Sequence, residues 1–131
     1  MAVIVTDRGF GPDTHAGGWT DLAPDTDPEA LRPDLAGLAA IRIGFPAFSD
    51  GRGFTLAARL RRMGFAGRLR AQGHVIADQY AMARRSGFDE VEIDEALAAR
   101  QPQAQWLARA DWRGHDYRRR LGRAGQAPVG A

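Results

Sequence analysis

Polar and apolar residues alternate along residues 39–48, with Ile41, Ile43 and Phe45 on one side. That period of two predicts a strand. Pro46, which has no amide to donate to a ladder, predicts that the strand ends there or lies at an edge. The period then changes. Over residues 54–63, Leu56, Leu60 and Met63 share one helical face, Arg59 and Arg62 lie toward the other, and Gly64 closes the helix as a left-handed cap. The same order returns further on. Residues 68–72 read as strand and 75–85 as helix, with Ile76, Tyr80 and Ala83 opposite Asp78, Arg84 and Arg85, and Gly87 closing it. Residues 91–93 form a third short strand, Asp94 caps a helix running toward Arg100, and Pro102 opens another bearing Trp106 and Leu107.

The N-terminal third is less periodic. Residues 2–5 are a β-branched run that predicts a first strand, and residues 6–18, rich in Gly, Asp, Pro and Thr, read as loop. Asp27 as cap, Pro28 in the first helical position and Glu29 in the first turn predict a short helix ending near Pro33. Two helix ends look like copies: Arg61-Arg-Met-Gly-Phe65 and Arg84-Arg-Ser-Gly-Phe88, 23 residues apart and each followed by a strand. Successive βα units of this kind predict a small, mostly parallel sheet, either an incomplete barrel or an open sheet. The expected organisation is one α/β domain over residues 1–112 and a flexible Arg- and Gly-rich tail over 113–131. With 131 residues the chain is too short for a complete eight-fold barrel, which takes ~200 or more.

Composition narrows the chemistry. Cysteine is absent, which excludes disulfides, thiol nucleophiles and thiolate-held metals or iron–sulfur clusters. No run of ~18 apolar residues is present, and the start lacks the basic and long apolar regions of a signal peptide, so a cytoplasmic protein without a membrane span is expected. All 18 basic residues are arginine and the net charge is only +2. The charge is blocked: seven acids against two arginines over residues 1–36, then six arginines and no acid from Arg52 to Arg70. Such blocks suit complementarity within the protein or with a partner, and solvated faces are the plainer reading.

Two strand-to-helix loops concentrate polar residues where ligands gather in parallel sheets. The first holds Asp50, Gly51, Arg52 and Gly53. It has two readings: an oxyanion site of backbone amides and the Arg52 guanidinium, or a tight turn in which Asp50 caps the helix and glycine supplies a positive φ. The turn is preferred, since neither a dinucleotide nor a nucleoside triphosphate fingerprint is present. The second holds Arg70, Gln72, His74, Asp78 and Gln79. His74 is a candidate acid or base with Asp78 beside it, against the plainer reading that His74 caps and Asp78 favours the helix dipole. Gln79, on the buried side of its helix, needs partners, for which backbone at a strand end is the usual source. His15 and His115 are too scattered to bind a metal with His74, and neither metal nor cofactor is expected. Trp112 to Arg123 mixes aromatics with arginine; docking of those aromatics on the domain is preferred to nucleic-acid binding.

Several consecutive motifs carry a family resemblance. Phe45-Pro-Ala-Phe-Ser-Asp-Gly-Arg-Gly-Phe54, Ala58-Arg-Leu-Arg61, Gly67-Arg-Leu-Arg-Ala-Gln-Gly73, Val75-Ile-Ala-Asp-Gln79 and Arg85-Ser-Gly-Phe-Asp89 stand in order within residues 25–93. They resemble the bacterial family called domain of unknown function 934. Its members are typically encoded beside assimilatory sulfite reductase and are described as oxidoreductases or accessory proteins of sulfite reduction. The resemblance implies sulfite reductase as a partner, and it brings no catalytic residue with it. Against the family pattern, His74 stands where an aspartate is expected, the N-terminal portion reads as shortened, and the Arg-rich ending reads as different. The reading is an accessory protein of sulfite reduction, with a small oxyanion as a further binding partner. The alternative is a small α/β enzyme acting on a phosphorylated or sulfonated anion, with His74 as acid/base and Arg52 as clamp.

Overall fold

The alternating segments become neighbouring strands of one six-stranded sheet in the computed structural model, which describes residues 2–113. The strands are β1 (Val3–Thr6), β2 (Gly9–Gly11), β3 (Thr20–Leu22), β4 (Ala40–Phe45), β5 (Arg68–Gly73) and β6 (Glu90–Ile93). Their spatial order is β2-β1-β6-β5-β4-β3. Strands β3 to β6 run parallel, and β1 adds antiparallel to β6 with β2 antiparallel to β1. The sheet is therefore open and mixed, mostly parallel. The mixed character begins with β1, which runs antiparallel to β6, and continues in residues 6–18, read as loop from the sequence, where β2 folds back on β1 as a hairpin.

Helices α1 (Arg52–Arg62) and α2 (Tyr80–Ser86) make the crossovers between consecutive parallel strands. Because the strands add in sequence order, crossovers of one hand place both helices on the same face. Ile41, Ile43, Phe45, Leu69, Ala71, Val91, Ile93 and Val5 turn to that face and pack against Phe54, Leu60, Tyr80 and Ala83. Helices α3 (Glu95–Arg100) and α4 (Gln103–Leu107) complete the cover with Leu97 and Trp106. Each large apolar side chain buried there contributes ~1.5–3 kcal/mol. Gly53 lets α1 approach the sheet closely, since a Cβ would lie 2.5 Å from Phe45 Cζ.

The duplicated helix ends are duplicates in space. Gly64 and Gly87 have φ of 106° and 113°, which favour glycine, and Phe65 and Phe88 donate back to the Leu60 and Ala83 carbonyls. The first arginine of each pair folds over its own turn: Arg61 Nη1 donates to the Phe65 carbonyl at 3.0 Å and Arg84 Nη1 to that of Phe88 at 2.6 Å. Arg61 goes further and donates to the Gly67 carbonyl, twice to that of Gly87, and to Asp89.

Several boundaries differ from the periodic reading. The strand expected over 39–48 spans Ala40–Phe45, stopping before Pro46 as its missing amide requires. The helix expected from residue 75 begins with a 3-10 turn, Ala77–Gln79, before α2. The segment at Pro28–Leu31 is also a 3-10 turn, capped by Asp27 as expected. Among the described residues no helix is long and apolar enough to cross a membrane. The expected tail and His115 lie outside the described residues, apart from Arg113.

Candidate functional site at the strand ends

The face of the sheet away from the helices is charged. Register sets Arg42 beside Arg70 beside Glu90, and Gln72 beside Glu92. Side chains at alternate positions of neighbouring strands then meet. Glu92 accepts from Arg42 (3.1 Å), Arg70 (2.8 Å) and Gln72 (3.2 Å), so one carboxylate links three strands. Asp21 takes the other edge of Arg42 at 2.6 Å, and Arg68 holds Glu90 at 2.6 Å. Arg70 is fully buried and also pairs with Glu90, itself 3% exposed. From the loop above, Asp13 accepts both terminal nitrogens of Arg70 at 2.8 and 3.0 Å, while Trp19 stacks 4.3 Å from its Cζ.

These pairs set the charge states. Burial works against the Arg70 cation, yet hydrogen bonds to Asp13, Glu92 and Glu90 prevail and raise its pKa. The same Arg70 contact, helped by the His15 amide, holds Asp13 well below the usual carboxylate range. A buried charge with this many partners is stable in place and costly to orphan.

At the carboxyl ends of β5 and β6 this face opens into a cleft of about 350 Å³. Gln72, His74, Glu92, Asp94, Leu97 and Arg100 line it. The two candidate loops do meet at this edge. Gln79 donates to the Phe48 carbonyl at 2.8 Å and accepts the Ile76 amide, which ties the loop after β4 to the loop after β5. The partners expected for Gln79 are thus backbone groups just beyond a strand end. His74 Nδ1 lies 3.3 Å from the Phe45 carbonyl oxygen, and its ring stands edge-on to Phe48 at 5.1 Å. A bond to that oxygen needs a proton on Nδ1, which leaves Nε2 of the neutral ring as an acceptor.

The remaining expected residues separate from the cleft. Arg52 is engaged by Asp50 through two nitrogens, at 2.9 and 2.7 Å, and faces a different groove with Asp25, Thr55 and Arg59. The Arg52 guanidinium and its backbone amide lower the Asp50 pKa to about 2. Asp50 does cap locally, accepting the Arg52 amide, but Gly51 has φ −84° and lies outside the positive-φ region. Gly53 serves packing instead. Asp78 turns away from His74 to a third groove, where it pairs with Arg109 at 2.8 Å. His74 does not cap the following turn, because Gln79 takes the Ile76 amide. Arg70 belongs to the buried ladder rather than to the open edge.

The six-arginine block is likewise not a basic patch. Arg52, Arg59, Arg61, Arg68 and Arg70 each pair with a carboxylate from elsewhere in the fold or from the adjacent turn. Arg62 makes no such pair among the described residues. Trp112 docks on the domain, donating to Asp7 at 3.3 Å beneath Arg84.

Three cleft residues were not singled out as binding groups: Glu92, Asp94 and Arg100. The strand-end rule applied to the third strand would have found the first two. Asp94 does double duty as the cap of α3, accepting the Leu97 amide at 2.7 Å. The cleft offers carboxylate acceptors, an imidazole and a guanidinium on its rim, a set suited to polar recognition. Among the described residues no group of three or more His, Asp or Glu is placed to hold a metal ion.

Neither the curated proteins nor the solved structures provide a match. A family model does match, over residues 20–123, and its description is "Bacterial protein of unknown function (DUF934)". The match takes in β3 to β6, helices α1 to α4 and every residue of the cleft wall except Ala2. The chain belongs to that family of bacterial proteins.

Proposed function

We propose that this chain is a cytoplasmic accessory protein of assimilatory sulfite reduction that binds sulfite reductase. Family membership carries the reading, through the association with sulfite reductase that the resemblance implies. The geometry favours binding over turnover at one point. The enzyme alternative needs Arg52 free as an anion clamp and His74 beside Asp78, whereas Arg52 is held by Asp50 and Asp78 by Arg109. The surface offered to a partner is the strand-end edge, where Phe48, a large apolar side chain 38% exposed, stands beside His74. An exposed aromatic with polar neighbours has the composition of a contact patch.

The test mixes the full chain with purified sulfite reductase and follows size-exclusion chromatography. A co-eluting complex, weakened at least about tenfold by Phe48→Asp at an unchanged melting temperature, is the expected result. Failure to associate, together with saturable binding of a small phosphorylated or sulfonated compound, would favour the enzyme instead.

A further inference from the structure

The loop over residues 12–19 crosses the charged sheet face and supplies the last partner of a guanidinium that is otherwise buried. Asp13 presents both carboxylate oxygens to the two terminal nitrogens of Arg70, and the Thr14 hydroxyl accepts from Arg68 Nη2 at 3.2 Å. Trp19 lies over Arg70 and, at 5.4 Å, over Arg42. Arg70 has no exposed surface, but the Asp13 side chain is 44% exposed. Among the described residues no backbone hydrogen bond ties residues 12–19 to the sheet. The segment is held down by side chains alone, so lifting it breaks no ladder.

We propose that the Asp13 carboxylate occupies a latent oxyanion site and that residues 12–19 are a displaceable strap closing it. The site is the terminal edge of Arg70 together with Arg68 Nη2. Two parallel N–H donors of one guanidinium fit any anion that presents two oxygens at carboxylate-like spacing, and sulfur oxyanions and carboxylates both do. On the sheet itself three guanidiniums, Arg42, Arg68 and Arg70, meet three carboxylates, Asp21, Glu90 and Glu92. Asp13 is a fourth carboxylate brought in from an exposed loop, which leaves the face with one negative charge in excess. An external monoanion in its place keeps that same excess, so the aimed donors rather than net charge select the ligand. Trp19, stacked on the Arg70 guanidinium, covers one face of it and moves with the strap. The donors are thus already aimed, and the internal ligand sets how readily an external one enters. The inference stands independently of the sulfite-reduction reading and adds an anion-responsive segment to a binding protein.

The test uses the full chain with sulfate, sulfite and acetate as probes, and chloride at matched ionic strength as control. The Trp19 indole resonance in 1H–15N spectra is expected to shift with each probe that binds, as the ring leaves the Arg70 guanidinium, while the amides of strands β4 to β6 stay protected from exchange, and chloride is expected to leave that resonance unchanged. Asp13→Asn removes the competing charge, and calorimetry is expected to show that it binds the same anion at least about tenfold more tightly than the parent. Adding Arg68→Ala to that variant is expected to reverse most of the gain. The proposal is overturned if the Trp19 resonance stays in place at high probe concentration, if chloride moves it equally, or if Asp13→Asn melts like the parent and binds no more tightly. The Trp19 measurement on the parent protein decides the matter even if the variant fails to fold. Strengths of sulfate and sulfite against acetate then separate a sulfur oxyanion from a carboxylate as the preferred ligand.

Discussion

Replacing Arg61 by alanine tests whether the two duplicated helix ends act as locks. Arg61 donates to the carbonyls of Phe65 (3.0 Å), Gly67 (2.8 Å) and Gly87 (2.9 and 2.8 Å), and to Asp89 at 3.1 Å. It therefore fastens the end of α1 to the start of β5 and to the end of α2. Hydrogen bonds to a charged group contribute ~1.5–3 kcal/mol each, and stranded carbonyls carry a similar cost. The Arg61 side chain is 25% exposed, so water reaches part of the gap, and the losses do not add fully. A destabilisation of ~3 kcal/mol is expected, which lowers the melting temperature by ~10 °C. Arg84→Ala removes one turn carbonyl contact and the Asp7 pair, and is expected to cost ~2 kcal/mol. The neighbours Arg62 and Arg85 are the controls: both are exposed, and their alanine variants are expected to stay within ~0.5 kcal/mol. Urea unfolding, followed by the fluorescence of buried Trp106, reads all four variants. Equal losses for Arg61→Ala and Arg62→Ala would refute the lock, since the two arginines differ only in what they touch.

Two further outcomes follow from the same contacts. Gly53→Ala drives a methyl into the Phe45 ring and is expected to destabilise by ~1–3 kcal/mol, whereas Gly51→Ala, with nothing within 4 Å of its Cβ position, is expected to be nearly neutral in the same melts. Burial pushes the Asp7 carboxyl up, but hydrogen bonds from Tyr80, Arg84 and Trp112 outweigh it and lower the pKa below its ordinary 3.8. A depressed folded pKa gives stability that is complete above the unfolded value and lost as pH falls through the folded one. The melting temperature is thus expected to fall as pH drops below ~4, and less steeply in Asp7→Asn; equal slopes would contradict the assignment.

How much was readable in the sequence depended on how far apart the interacting residues lie. The βα units from Ile41 onward announced themselves by period, and their ends by Gly64 and Gly87, because those signals are local. Strands β2 and β3 did not, since Gly9-Phe-Gly11 and Thr20-Asp-Leu22 are too short to show a period, and partner strands define them. The charged ladder was half visible. Arg68, Arg70 and Gln72 alternate in one strand and Glu90 and Glu92 in the next, so opposite charges on neighbouring strands were there to be paired once the register was known. Asp13, 57 residues from Arg70, left no local trace. At the site, the loops met as their shared strand-end position required. Asp78 and Arg52 were lost to it because nearby opposite charges, Arg109 and Asp50, captured them first.

Growth of a deletion strain on sulfate, sulfite or sulfide as sole sulfur source tests the proposed role most directly. If the protein serves sulfite reduction, sulfide restores growth and sulfite does not, and the full-length gene restores growth on all three. Equal growth on every source, in a strain with no second copy, would contradict the role.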